Sequence, residues 1–352
     1  MRRRVFLAIV ILGAAWLTGG TGAVAAETEP IPLKLATHWP VLHDMNNVMV
    51  EFARDIGRES KGRIKVTYFP AGTLAGSGEK YQKLRAGVCD IANIHLSQHP
   101  GAFPLAQLTT LPFLFSDGTE ASWVLNRMLD AFSSNLEAQN IKLLFMVGDP
   151  NFQILLSKKK VETPEDFKGL RLKCGGFADE ALKLWGAVPV QLKHGDMYLA
   201  LRRSVVDGIV FPVGAARSFK LEEVSRYVFK LDLFSYHLFM GMNLDTWKRL
   251  PEDLQKGVER ASLKAAYLSG FHYQDTDAAT FSYLASKGLE VYEPTSEQLD
   301  ALKSSVRPLR EKLLQDLEEE GLPAKETLAR METLMAEYRL WSDTDALKPT
   351  YR

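Results

Sequence analysis

The sequence predicts an α/β fold in two domains, from three observations. Short segments that alternate apolar and polar residues, such as 31–37 and 64–69, are typical of strands. Segments with helical spacing, such as 46–60, lie between them, and this alternation favours mixed or parallel sheets. At 352 residues, the chain is long enough for two domains with a substantial core.

Residues 251–284 carry the longest helical pattern, because apolar side chains recur there at three- and four-residue steps. Two more helical segments, 299–317 and 324–338, complete the C-terminus, and no repeat or low-complexity linker interrupts the chain. Further strands are predicted at 141–147 and 153–157, with a turn signal between them. The two halves are therefore expected to be joined by structured segments.

Composition and motifs exclude several classes of function. The 43 Lys and Arg residues balance 43 Asp and Glu residues, so no net field favours nucleic acid or an anionic membrane surface. No phosphate-binding loop, nucleophile elbow or zinc-protease motif is present, and His95 and His99 have no evident third metal ligand. We therefore predict a protein that is not an enzyme and has no cofactor. Cys89 and Cys174 are interpreted as two buried thiols, although a pairing between them is left open.

The N-terminus has the pattern of a secretory signal peptide. Three arginines at positions 2–4 precede an apolar stretch at 5–16, and a small-residue cleavage site follows at 23–25. We predict a signal peptide over 1–26, with cleavage near Ala25 or Ala26 and export to the periplasm. No later segment is apolar enough to span a bilayer, so no membrane insertion is expected after cleavage.

Several motifs follow one another in an order that identifies a family. They are PEDFKGLRLKCGG, WGAVPVQL and MYLALRRSVVDGIVFP between positions 164 and 212, with KGRIKVTYFPAGTLAG before them, LPFLF at 111–115, and MNLDTWKRLPEDLQKGV at 242–258. Together they resemble the solute-binding proteins of TRAP transporters, the DctP family of periplasmic receptors for organic acids. The resemblance runs through nearly the whole predicted mature chain.

The resemblance implies a two-domain periplasmic binding protein clamp with mixed sheets and a long helix that spans both domains. Domain I would comprise 27–150 plus 239–278, and domain II would comprise 151–238 plus 279–345. Ligand would bind in the cleft between them and close it by a hinge motion. The closed form would then deliver a small organic acid to the membrane subunits of a TRAP permease.

Residues at the family's ligand contacts differ in this sequence. The family's strand usually ends in an Arg that grips a carboxylate, whereas Lys173 stands there, and Arg171 occupies a nearby position that is usually Lys. A lysine lacks the planar fork of arginine. Phe211 replaces an amide that usually contacts ligand, and Phe152 aligns near a second basic position. These changes predict a less polar cleft and a monocarboxylate ligand with an apolar or aromatic portion.

Three more residues complete the predicted site. Trp39 follows the first strand and is a candidate for stacking on ligand, and the neighbouring His38 is a candidate hydrogen-bond donor. Tyr236 lies near the predicted hinge crossing and is a candidate for closing the cleft, although core packing is an equal alternative. A second hypothesis is a periplasmic carrier or sensor for a hydrophobic, lipid-like or cationic amine ligand, with Asp149 or Asp196 as counter-charge to an amine.

Overall fold

The computed structural model describes residues 29–39, 41, 43, 45–96, 99, 101–175 and 177–342. The predicted signal peptide over 1–26 lies outside the described residues. Eleven strands and eleven α-helices are present in the described part of the chain, and we number them in order.

The strands are β1 Ile31–Ala36, β2 Ile64–Phe69, β3 Ile91–His95, β4 Ile141–Gly148, β5 Phe152–Leu156, β6 Arg171–Lys173, β7 Val188–Val190, β8 Gly208–Pro212, β9 Tyr227–Phe229, β10 His237–Asn243 and β11 Glu290–Tyr292. The helices are α1 Met45–Glu59, α2 Lys80–Arg85, α3 Gly118–Leu125, α4 Leu129–Glu137, α5 Phe177–Leu184, α6 Met197–Arg202, α7 Leu244–Arg249, α8 Glu252–Ser286, α9 Ser296–Ser305, α10 Arg307–Glu319 and α11 Ala324–Ser342.

Sheet A has the order β2-β1-β3-β10-β4. Strands β1, β2 and β3 are parallel, and β10 is antiparallel to both of its neighbours, with Leu238 opposite His95 and Val147. One face packs against α1 and α8 through residues such as Leu35 and Phe52. The other face packs against α3 and α4, because successive side chains of a strand point to opposite faces.

Sheet B has the order β11-β9-β5-β8-β6-β7. Only β5 is antiparallel to its neighbours in this sheet. Ile154 and Phe229 belong to the apolar cluster on one face, which α5 covers, and Leu155 and Ile209 belong to the cluster on the other face, which α6 covers. The predicted mixed α/β architecture is confirmed.

Helix α8 connects the two sheets. Its first half, including Leu254 and Ala265, belongs to an apolar cluster of sheet A, whereas Leu284 belongs to a cluster of sheet B. At 35 residues it is the long helix that the sequence predicts. The predicted helix over 299–317 is instead two helices, α9 and α10, because the chain starts a new helix with Pro308 in its first turn.

The C-terminal helices differ from the predicted domain boundary, which places 279–345 in domain II. Leu302 of α9 does pack against sheet B. However, Leu317 and Met331, on α10 and α11, are buried in the cluster of sheet A, and Arg330 forms an ion pair with Asp130 of α4. The chain therefore returns from the apolar cluster of sheet B to that of sheet A after α9, a change that local sequence patterns do not reveal.

Candidate functional site: the cleft between the sheets

A short crossing of the chain joins one edge of sheet A to one edge of sheet B. The carboxyl ends of β1, β3 and β4 lie at one edge of sheet A, and those of β6, β7 and β8 lie at one edge of sheet B. Only residues 149–151 join β4 to β5, whose first residue, Phe152, pairs with Pro212 at the end of β8. Because ligands of α/β proteins bind outside the carboxyl ends of strands, this cleft is the candidate site.

Lys173 ends β6 at the sheet B edge. The residue is only 5% exposed, and its Nζ lies 4.9 Å from the centre of the Phe211 ring. Among the described residues, no carboxylate forms an ion pair with it. Asp179, whose charge acts on Lys173, instead accepts hydrogen bonds from Cys174 and Gln191. Burial lowers the pKa of the Lys173 ammonium, and the more distant charge of Asp179 only partly offsets this effect.

The Phe211 ring beside Lys173 belongs to a larger group of aromatic rings. The Phe211 ring is 6.1 Å from that of Phe152 and 5.0 Å from that of His194, an exposed residue just before α6. Phe152 also contacts Phe234, with ring centres 4.6 Å apart. Phe152 and Phe211 are both 9% exposed, so each has a small edge at the cleft and a body in the core. The predicted apolar wall therefore lies beside the predicted cation.

Arg171 does not share the environment of Lys173. Its guanidinium is exposed and pairs with Asp207 through two side-chain hydrogen bonds of 2.9 and 3.1 Å. These bonds hold the pKa of the Asp207 carboxyl below its ordinary value. Although both residues lie on β6, Lys173 is at the cleft end of the strand. The structure therefore gives Arg171 a role in joining β6 to the turn before β8, which differs from the predicted ligand contact.

Tyr236 lies in the crossing from β9 to β10. Its hydroxyl donates a 2.7 Å hydrogen bond to the carbonyl of Gly175, two residues after Lys173. Its ring packs edge-on against Phe152 and Phe234. Burial raises the pKa of the Tyr236 hydroxyl, which is therefore a neutral donor. The residue connects the crossing to the strand that carries the cation.

On the sheet A edge, His38 and Trp39 follow β1. Trp39 is buried in the apolar cluster that includes Met45 of α1, with its ring 6.0 Å from that of His43. A face of Trp39 is thus not exposed for stacking on ligand, contrary to the predicted role. His38 is half-buried at the cleft edge. Burial first, and then the charge of Lys80, lower the pKa of its imidazole to about 3, so the ring is neutral near pH 7.

Lys80 opens α2 and was not predicted as a site residue. It is 1% exposed, and its Nζ lies 2.8 Å from Nδ1 of His38 and donates to Oδ1 of Asn93. Among the described residues, it has no ion pair with a carboxylate. Burial lowers the pKa of its ammonium to about 7. The sequence gives one indication that Lys80 is buried: it lies one turn before the buried Leu84 on the same predicted helix.

His95 and Asp149 extend this polar group towards the crossing. Nε2 of His95 lies 3.2 Å from Nε2 of His38, and its Nδ1 lies 3.7 Å from Oδ2 of Asp149. Burial, followed by the charge of Lys80, lowers the pKa of His95 to about 4, and burial raises the pKa of Asp149 to about 8. Tyr273 of α8 is hydrogen-bonded to Asp149. Side chains from five segments therefore meet at one chain of titratable groups: α2, the end of β1, β3, the crossing and α8.

Other features of the described residues lie outside this site. Cys89 and Cys174 are free and buried, as predicted, and belong to apolar clusters of different sheets. Nowhere in the described chain do three or more His, Cys, Asp or Glu side chains group as a metal site. A separate apolar cavity of about 180 Å³ lies beside α4, lined by side chains such as Phe103, Phe132 and Leu322.

The fold and the cleft define a two-domain solute-binding protein, and comparisons with known proteins specify its family. The family model described as bacterial extracellular solute-binding protein, family 7 (DctP), matches residues 35–316. The chain therefore belongs to this family. Its members are periplasmic solute-binding proteins, not enzymes; they bind small ligands and work with membrane permease subunits. No described helix is long and apolar enough to cross a membrane.

Individual relatives are distant but similar along most of the chain. The C4-dicarboxylate-binding periplasmic protein DctP of Rhodobacter capsulatus is 25% identical over 331 residues, covering 89% of this chain and 96% of that protein. A TRAP periplasmic solute-binding protein from Desulfovibrio salexigens has a TM-score of 0.82 at 24% identity, covering 88% of this chain and 96% of that one. A third relative is a marine metagenome TRAP solute-binding protein specific for aromatic acid ligands, solved in complex with metahydroxyphenylacetate. It has a TM-score of 0.77 at 23% identity, covering 88% of this chain and 99% of that one.

Proposed function

We propose that this protein is the extracytoplasmic receptor of a TRAP transporter for a small monocarboxylate with an apolar or aromatic portion. One observation carries the proposal: Lys173 is buried at the cleft, has no ion pair in the described chain, and lies against the ring of Phe211. A buried cation without a partner is costly, and a ligand carboxylate would neutralise it. The surrounding rings would receive the ligand's apolar part.

The sheet A edge of the cleft favours a ligand with one carboxylate over a ligand with two. The pKa values of His38 and His95 are lowered to about 3 and about 4, so both imidazoles are uncharged at neutral pH. The sheet A edge thus offers no imidazolium for a second carboxylate. The aromatic-acid specificity of the metagenome relative is consistent with this chemistry, whereas the Rhodobacter relative is named for C4-dicarboxylates.

The alternative of a cationic amine has less support. Burial raises the pKa of Asp149 to about 8, so this carboxyl is mostly protonated at pH 7 and would be a weak counter-charge. Asp196 is exposed at the start of α6. The alternative of a hydrophobic ligand is supported by the apolar cavity beside α4, which is lined by none of the seven predicted site residues.

Hinge closure and export remain part of the proposal. Domain I would comprise 27–150 and 239–278 together with the C-terminal helices from 307 onwards, and domain II most of the remainder. The two crossings and α8 would provide the hinge. N-terminal sequencing of the secreted protein should begin near Ala26; a chain that retains residues 1–26 would contradict the cleavage proposal.

The first test identifies the ligand. Mass spectrometry of small molecules released from the purified protein should detect an aromatic or apolar monocarboxylate. Calorimetric titration should show tighter binding of benzoate or 3-hydroxyphenylacetate than of succinate. A released amine or lipid, with all carboxylates inert, would replace the proposal with one of the two alternatives.

The second test uses two positive residues of the same strand. Lys173→Met should weaken benzoate binding by about tenfold to a hundredfold, since a hydrogen bond to a charged group contributes about 1.5–3 kcal/mol. Arg171→Ala is the matched control, because that guanidinium is exposed and paired with Asp207. Equal losses in the two variants, or no loss in Lys173→Met, would remove Lys173 from the site.

A further inference from the structure

The titratable groups at the sheet A edge form one continuous chain. Nζ of Lys80 and Nδ2 of Asn93 lie 2.8 and 2.9 Å from Nδ1 of His38. Nε2 of His38 lies 3.2 Å from Nε2 of His95, whose Nδ1 faces Oδ2 of Asp149 at 3.7 Å. The chain thus runs from α2 through the ends of β1 and β3 to the crossing between the sheets.

The donors fix the direction of this chain. The amide nitrogen of Asn93 can only donate, so Nδ1 of His38 accepts and its proton is on Nε2. The Lys80 hydrogen bond to Oδ1 of Asn93 sets the orientation of that amide. Nε2 of His38 then donates to Nε2 of His95, which leaves the His95 proton on Nδ1, facing Asp149. Each imidazole therefore has a single tautomer in the neutral chain.

Both ends of the chain lack a neutralising partner. Among the described residues, Lys80 has no ion pair, and Oδ1 of Asp149 is buried without a hydrogen-bond partner. Burial brings the pKa of Lys80 down to about 7 and that of Asp149 up to about 8. The two ends therefore change charge near neutral pH. The middle of the chain, His38 and His95, is half-buried and forms part of the cleft edge.

We propose that the hydrogen-bonded chain from Lys80 to Asp149 lies behind the anion site at the sheet A edge and takes up a proton when the solute binds. This inference rests on the proposed function, since it requires an anion in the cleft. It adds a proton as a co-ligand and names the residues that hold it.

The charge balance of the step is simple. A carboxylate brings one negative charge next to the imidazole pair and so favours the protonated form of every group in the chain. One proton moves from solvent to the chain and binds at the Lys80 amine near pH 7.5. No covalent bond changes, and the proton returns to solvent when the anion leaves.

Two of the other titratable groups near the chain are neutral in this range, whereas Asp277 of α8, whose charge acts on Tyr273 and whose pKa burial raises to about 7, is a rival acceptor of the proton. Burial raises the pKa of the Cys89 thiol to about 11, and the pKa of the Tyr273 hydroxyl of α8 lies well above 10. His43, before α1, lowers the pKa of His38. Lys173, across the cleft, is a second buried amine whose pKa is lowered, so it is a rival acceptor of the proton.

The experiment is calorimetric titration of the protein with benzoate in phosphate and in Tris, at pH 6.5, 7.5 and 8.5. The difference in apparent enthalpy between the two buffers gives the number of protons taken up. We expect roughly half to one proton per benzoate near pH 7.5, with affinity falling by up to about tenfold per pH unit as pH rises. Lys80→Met should remove most of the uptake, leaving only the smaller share that Asp149 contributes.

Two further variants keep the test decisive. Lys83→Met is the matched control, because Lys83 lies on the same helix in an ion pair with Glu79 and should leave the uptake unchanged. If circular dichroism shows that Lys80→Met does not fold, His95→Gln, which interrupts the chain but keeps Lys80, should reduce the uptake. In the ligand-free protein, nitrogen NMR of the imidazoles should show the proton of His38 on Nε2 and that of His95 on Nδ1.

The outcomes separate this inference from the proposed function. Benzoate binding that depends on Lys173 but exchanges no proton would overturn the inference and leave the proposed function standing. Undiminished uptake in both Lys80→Met and His95→Gln would place the proton elsewhere and would also overturn it. If no carboxylate binds at any pH, both are overturned.

Discussion

The two edges of the cleft each carry one buried lysine, in opposite surroundings. Lys173 of domain II lies against an aromatic ring, and the described chain gives it no carboxylate partner. Lys80 of domain I also lacks a carboxylate but donates to His38 and Asn93. An ammonium beside a ring depends on an external anion, whereas one in a hydrogen-bonded chain can share its proton. We therefore expect Lys173 to set affinity and Lys80 to set pH dependence.

The largest effect should come from disrupting the domain I edge at Gly148, the last residue of β4. A Cβ there would lie 2.8 Å from the backbone nitrogen of Ser122 and closer still to the carbonyl of Gly118. These atoms belong to α3 and cannot move independently. Gly148→Ala should therefore lower the free energy of unfolding by about 3 kcal/mol or more in urea denaturation.

Gly76→Ala is the control for this change, because no atom lies within 4 Å of the corresponding Cβ. A Gly148→Ala protein as stable as the wild type would mean that α3 is less firmly packed against β4 than the structure shows.

The next effect is the pH dependence of stability caused by Asp149. Its folded pKa of about 8 exceeds the ordinary value of about 3.9, so between these values the folded protein holds a proton that the unfolded chain has released. The wild type should lose up to about 1.4 kcal/mol of stability per pH unit as pH rises through this window. The Asp149→Asn substitution removes this pH-dependent loss, so the stability of the variant relative to the wild type should increase from pH 5 to pH 8.

Unfolding in urea at pH 5, 6.5 and 8 measures this difference. Asp207→Asn on the sheet B side is the control. Because the pKa of Asp207 is lowered, its carboxyl is ionised throughout this pH range, and its contribution to stability does not change with pH. A difference between Asp149→Asn and wild type that does not change with pH would show that Asp149 is ionised in the folded protein.

A smaller effect is expected for the aromatic wall of domain II. Phe211→Asn should weaken benzoate binding about fivefold, because an aromatic contact contributes about 1 kcal/mol, and should shift preference towards more polar acids. Competitive binding with succinate measures the ranking. Phe229→Leu, on β9 of the same sheet and stacked on Tyr292, should leave the ranking unchanged. An unaltered ranking in Phe211→Asn would place its ring in the core only.

The smallest effect is expected at the crossing. Tyr236→Phe removes the hydrogen bond to Gly175 and should cost about 1 kcal/mol of stability, with less than a fivefold change in benzoate affinity. Thermal unfolding and titration of the same sample give both values. A loss of affinity greater than tenfold, with stability unchanged, would mean that the hydroxyl contacts the ligand directly.

Much of the fold could be predicted from sequence patterns. The strand predicted at 64–69 matches β2, and the helix predicted at 251–284 matches α8 within two residues. Both have strong periodicity, which depends only on neighbouring residues. The division of 299–317 into two helices was missed, although Pro308 was a visible signal for a new helix start. The packing of α11 against α3 could not be predicted, since it joins residues about two hundred positions apart.

The candidate site shows the same limit. Lys173 was singled out through its place in a family motif, but its difference from Arg171 was not predicted, since strand alternation puts both on one side. The structure separates them because β6 ends at the cleft. Likewise, Lys80 and Lys83 lie one turn apart on α2, and only one is buried. No local pattern distinguishes such a pair.

The sequence by itself therefore determined the α/β class, the long helix and the family, and it indicated Lys173 as a candidate, since these follow from local periodicity and a contiguous motif. Only the tertiary structure decided which charges are buried. Lys80 and His38 are 42 positions apart, and His38 and His95 are 57 apart. The pKa of a side chain depends on the neighbours that folding brings to it and on the water that folding removes.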